Sequence, residues 1–150
     1  MEIRLNRSEL LSELVPMQGI VERRTTIPVL SHLLLKAEGD ALHIAATDLE
    51  VSLTSSCEGE VQEEGAIAIQ AKKLLEIMRA ADGDEVTLRL DEDGVLTILV
   101  GQSLFKIRGL PAEDFPTLPE VAEDPVEIPF GIFRSMVSKI FFAISSEESR

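Results

Sequence analysis

The stretch "GAIAIQAKKLLEIMRA", residues 65–80, changes its period part-way along. Over 65–70 it alternates as a strand does, with Ile67 and Ile69 sharing one face. Over 71–81 the apolar residues Leu74, Leu75 and Met78 fall at helical spacing. Lys72, Lys73 and Arg79 then share the opposite, exposed side of that helix. "DGDE" at 82–85 breaks the helix, and three strand-like runs follow at 86–90, 95–100 and 103–108. "DEDG" at 91–94 supplies the hairpin turn between the first two of them. The unit is a strand, a helix and three strands.

The same unit already stands at the N-terminus. A short strand at 2–5 leads to Asn6, a helix N-cap residue, with Glu9 three positions later as the carboxylate of a capping box. Leu10, Leu11, Leu14, Val15 and Met17 give the helix its apolar face, and Pro16 and Gly19 predict a kink or an early end. Strand-like runs follow at 31–37, 41–47 and 50–56, with "EGD" at 38–40 as a turn. Ile3 and Leu5 lie 64 residues before Ile67 and Ile69, and Leu10, Leu11 and Leu14 lie 64 before Leu74, Leu75 and Met78. This is an internal repeat of one supersecondary unit. It predicts an α+β fold with helices on one face of antiparallel sheets.

Beyond the second copy, "GLPAEDFPTLPEVAEDP" at 109–125 combines four prolines with a block of acids. It reads as an extended connection between domains. A third copy then opens: Val126 and Ile128 lie 123 residues after Ile3 and Leu5, and Phe133 and Val137 match Leu10 and Leu14. The expected organisation is a first domain over 1–120 and an incomplete second over 121–150. The chain reads as a piece of a longer protein.

Composition bounds the function. The formal net charge is −13, hydrophobic residues make up 45% and there is neither Trp nor Tyr, so Leu, Ile and Val must build the core. No apolar run approaches a membrane span, and "MEIRLNRSEL" lacks the apolar stretch of a secretory signal, so the expected location is cytoplasmic with no membrane partner. The acids are unevenly placed. Residues 38–70 hold eight acids and residues 109–130 six, both without Lys or Arg, whereas 71–81 has three cations against Glu76 alone. Such segregation lets one surface attract an anion while the remainder stays acidic. Chance can also produce a short helix with a small positive excess.

No motif for catalysis stands out. His32 and His43 lie in strands without ligand spacing, and Cys57, the single cysteine, has no histidine near it in sequence. "DGDE" and "DEDG" lack the spacing of a calcium loop, and no glycine-rich phosphate loop or nucleophile elbow is present. No cofactor and no metal are expected. What remains is the basic helix face and "VERRTTIPVL" at 21–30. Arg23 and Arg24 there either complement a helix C-terminus or reach a phosphate. Sequence leaves both open.

Four stretches together carry a resemblance: "RRTTIPVLSHLLL" at 23–35, "ATDLEVSL" at 46–53, "AKKLLEIM" at 71–78 and "GLPAEDFPTLP" at 109–119. They are similar, in this order, to the sliding clamps of bacterial DNA replication, the beta subunits of DNA polymerase III. The resemblance implies three domains of like clamp fold in a longer chain, assembled head-to-tail as a homodimeric ring. Helices would line a hole threaded by double-stranded DNA, bound without regard to sequence. Such a clamp tethers the replicative polymerase, is opened by an ATP-driven clamp loader and catalyses nothing. By position, Arg24 and Lys72 match DNA-facing residues, and Arg79 joins them on the same polar face. Lys73, Phe105 and Ile107 match positions where the first domain meets the partner subunit. Glu147 in "SSEESR" departs from the family, which offers a polar DNA contact there. The pocket for polymerase and loader peptides is expected mainly in sequence beyond residue 150. Two other classes compete: a protein-interaction scaffold whose basic helices bind an acidic partner, and a hydrolase with acids in a cleft.

Overall fold

Two copies of one pattern bury the same positions and exchange their first strands. The computed structural model describes residues 1–21, 27–119 and 127–144. It divides into two units, Met1–Leu118 and Pro119–Arg150. In the first unit the chain forms β1 (Glu2–Asn6), α1 (Arg7–Met17), β2 (His32–Glu38), β3 (Ala41–Thr47) and β4 (Ser52–Glu63). It then repeats the order as β5 (Gly65–Gln70), α2 (Ala71–Ala80), β6 (Glu85–Leu90), β7 (Val95–Val100) and β8 (Ser103–Arg108).

All named strand pairs are antiparallel, in the order β5-β2-β3-β4-β1-β6-β7-β8. Each copy lends its first strand to the other copy's meander. Leu5 of β1 lies opposite Val86 of β6, and its counterpart Ile69 of β5 lies opposite Leu33 of β2. Ile3 opposite Leu88 and Ile67 opposite Leu35 repeat the relation. The two seams between the copies share one equivalent contact, although β1 and β4 pair along a ladder and β5 meets the end of β8 at a single bridge. Arg4 pairs with Glu60 at the end of β4, and Ala68, its counterpart, bridges to Leu110 just past β8. Two backbone hydrogen bonds make that bridge, Ala68 N to Leu110 O at 3.0 Å and Leu110 N to Ala68 O at 2.9 Å. The bridge ties the two ends of the strand order at a single point just past β8, and leaves the outer side of β8 itself unpaired among the described residues.

The core lies between this sheet and the helices. Leu10, Leu14 and Met17 of α1 and Leu74, Leu75 and Met78 of α2 are buried in one cluster with Ile3, Leu5, Leu33, Leu35, Ile67, Ile69, Leu88 and Ile98. Asn6 caps α1 as expected, its Oδ1 accepting from Ser8 N at 2.9 Å and Glu9 N at 3.2 Å. Pro16 falls in the last turn, and the helix ends one residue later. Arg7 ties the two helices: Nη1 donates to the Met78 carbonyl at 2.8 Å and Nε to the Gly83 carbonyl at 2.5 Å.

Three segments of the first unit differ from expectation. The run expected at 50–56 extends to Glu63, because the acidic "EGEVQE" is held by pairing with β1 and not by its own alternation. Strand β2 starts at His32, because Pro28 opens a 3₁₀ turn over Pro28–Ser31. The segment from 109 is not wholly an extended connection. Phe115 is 7% exposed and packs with Ala45, Ala68, Leu110 and Leu118 on the outer face of the sheet. Small side chains on that face leave room that these residues fill.

The second unit contains α3 (Phe130–Ile140) and a 3₁₀ turn over Phe141–Ala143. Glu127–Pro129 forms no strand, and Val126 lies outside the described residues. No side chain of α3 is buried.

Candidate nucleic-acid interface

Helix α2 buries Ala71, Leu74, Leu75 and Met78, which forces its cations outward. Lys72, Lys73 and Arg79 are all exposed, as is Glu76. Lys72 Nζ lies 3.9 Å from Glu76 Oε1, with the side chains 82% and 63% exposed. Arg79 Nη2 donates to Gln18 Oε1, just past the end of α1, at 3.2 Å. Between the helices opens a cleft of about 390 Å³, with Leu33 and Leu75 among its apolar residues and Gln18, Lys72, Glu76 and Arg79 among its polar ones. Lys72 and Arg79 are thus on one surface, at the mouth of one cleft.

The companion helix differs. The exposed residues of α1 include Ser8, Glu9 and Ser12, while its one cation, Arg7, is only partly exposed and is engaged by two carbonyls. The positive surface of the helix layer, among the described residues of the first unit, is therefore that of α2. Sequence reasoning missed Gln18 as the partner of Arg79, because the pairing spans 61 positions and depends on how the helices pack. Arg24 and Glu147 lie outside the described residues.

The residues expected at a subunit contact separate. Lys73 is exposed. On β8, Ile107 is 5% exposed and belongs to the core, as does its repeat counterpart Cys57, and Phe105 is partly buried against the same cluster. Leu104, at 56% exposed, and Lys106 and Arg108 face outward. Among the described residues β8 pairs only with β7, so its outer edge presents unpaired backbone groups. An Ile107 side chain so buried supports this edge from beneath.

Among the described residues, the histidines and the cysteine serve the fold. His32 Nδ1 lies 2.9 Å from the Pro28 carbonyl, and His43 sits opposite Ser56 in a strand pair. Burial pushes the Cys57 thiol up to about 11, and the nearby carboxylates of Glu13 and Glu9 add to the effect. No group of three metal-ligating side chains occurs among the described residues. The "ATDLEV" stretch makes a tied turn: Asp48 Oδ1 accepts from Glu50 N at 2.9 Å and Val51 N at 2.6 Å. Buried Thr47 accepts from Leu49 N through Oγ1 at 3.0 Å.

Comparison with known proteins places this architecture. Residues 1–119 match the family model described as DNA polymerase III beta subunit, N-terminal domain. Among curated proteins, the beta sliding clamp of Caulobacter vibrioides is 37% identical over 153 residues, and that of Pseudomonas aeruginosa 36% over 156. Both matches take in 100% of this chain but 41% of the relative, so the chain spans well under half the length of these proteins. A crystal structure of the DNA polymerase sliding clamp from Caulobacter crescentus superposes with a TM-score of 0.90 at 36% identity, covering 99% of this chain and 41% of that one. The DNA polymerase III beta subunit of Pseudomonas aeruginosa gives 0.89 at 35% identity, covering 100% and 41%. With the repeated unit, the exchanged first strands and the family match over 1–119 in agreement, the chain belongs to the DNA polymerase III beta subunit family.

Proposed function

We propose that this chain is the first domain, and the opening of the second, of a DNA sliding clamp. In that reading 1–120 form the first clamp domain and 121–150 begin the next. The full protein closes head-to-tail as a homodimer around double-stranded DNA, tethers the replicative polymerase and is opened by a clamp loader. It works in the cytoplasm by topology and without catalysis. The observation that carries the reading is the charge of α2: an acidic protein keeps three cations together on the exposed side of one helix of a clamp-family domain. Lys72 and Arg79, with Arg24, are the DNA contacts. Lys73, Phe105 and the free edge of β8, backed by Ile107, form the subunit contact. Cations spread over a helix surface attract phosphates without reading bases.

The test reverses the charge. In the full-length ring, Lys72→Glu with Arg79→Glu should weaken association with duplex DNA. It should also flatten the dependence of log K on log salt by up to about 0.9 per lost phosphate contact. An unchanged salt slope removes α2 from the DNA surface and favours the scaffold reading, in which the same face binds an acidic protein.

A further inference from the structure

The basic face of α2 contains a single acid, within one turn of all three cations. Glu76 follows Lys72 by four residues and Lys73 by three, and it precedes Arg79 by three. These are the spacings at which helix side chains are neighbours. Its Oε1 lies 3.9 Å from Lys72 Nζ, an ion pair on the exposed face. As a device for holding the helix together the pair is poorly arranged. Both partners are more than half exposed, where ion pairs contribute little. Lysine preceding glutamate is the weaker of the two orders at this spacing. Helix stability would favour an acid in the first turn, and α2 has none there.

We propose that Glu76 attenuates the phosphate affinity of the α2 face, so that each contact with DNA is made and released quickly. The inference rests on the clamp reading above and names a regulator of the same surface. The carboxylate competes with a phosphate for Lys72 and repels phosphates within the screening length, about 10 Å at 0.1 M salt. Arg79 is held differently. Its acceptor, Gln18 Oε1, is uncharged and leaves the guanidinium charge whole. The face therefore combines Lys72, whose charge is paired with the carboxylate, with Arg79, which is hydrogen-bonded to a neutral acceptor. A ring that retains DNA by encircling it loses nothing by this, because topology and not affinity prevents escape.

The experiment compares full-length rings carrying Glu76→Gln or Lys72→Gln with the unaltered ring. Equilibrium binding to a short duplex is measured from 50 to 200 mM salt, and one-dimensional diffusion is followed on a linear duplex blocked at both ends. Glu76→Gln should tighten binding about threefold, steepen the salt slope and slow diffusion. Lys72→Gln should weaken binding and flatten the slope. If Lys72→Gln acts as expected while Glu76→Gln changes neither slope nor diffusion, the attenuation is overturned and the clamp reading stands. If neither variant changes anything, the DNA-facing role of α2 falls, and the attenuation with it. A Glu76→Gln ring with a lower melting temperature but an unmoved slope assigns Glu76 to helix stability and also overturns the proposal.

Discussion

A single methyl group at Gly109 should break the bridge that ties the two ends of the sheet together. A Cβ built there lies 2.7 Å from the Ala68 carbonyl oxygen and 2.5 Å from Ile67 Cγ1. The carbonyl oxygen cannot swing aside, because it accepts the Leu110 N–H at 2.9 Å. Ile67 is 3% exposed and has nowhere to go. Gly109→Ala must either strain the site, at about 1–3 kcal/mol, or open the bridge and lose two backbone hydrogen bonds of about 1 kcal/mol each. Alanine recovers about 0.4–1 kcal/mol by restricting the unfolded chain. The expected net loss is roughly 1–2 kcal/mol, a fall in melting temperature on the order of 5 °C for a domain of this size. Circular dichroism melts measure the loss, and hydrogen exchange at the Ala68 and Leu110 amides reports whether the bridge opened. Gly59→Ala is the companion, since its Cβ would meet Leu5 Cδ2 and lie 2.8 Å from the Arg4 carbonyl, the repeat counterpart of Ala68. An unchanged melt with full protection at Ala68 and Leu110 would refute the close approach at Gly109.

Two more predictions rest on the core. Because β1 completes the second meander and β5 the first, residues 1–64 alone should show no cooperative unfolding. Adding 65–118 should restore it; a cooperative melt of 1–64 by itself would contradict the exchange of strands. Cys57 should make stability fall in alkali: the folded thiol holds its proton to about 11 against a reference value of 9.0, so between these values the unfolded chain binds fewer protons. Its contribution falls by about 1 kcal/mol by pH 10. A urea titration of Cys57→Ala beside the unaltered chain checks this, and equal alkaline losses in the two would reject it.

The repeat was legible because its buried positions recur at a fixed distance, and Ile3, Leu5, Leu10 and Leu14 share one core with Ile67, Ile69, Leu74 and Met78. Turns at 38–40 and 91–94 were legible because Gly39 and Gly94 adopt the positive φ their positions require. The second half of β4 was not, since "EGEVQE" carries no alternation and is a strand only through its partner β1. The exchange of first strands left no mark in sequence either, because the same apolar pattern serves whichever meander a strand joins. At the surface, Lys72 and Arg79 followed from helical period alone. Gln18 against Arg79 and the burial of Ile107 needed the tertiary arrangement.

The central claim is that DNA is held by encirclement. It is tested most directly by loading the full-length ring on a nicked circular duplex and measuring its retention before and after the circle is cut once. The account predicts stable retention on the circle and rapid loss from the linear form through its free ends. Equal retention on both would contradict it.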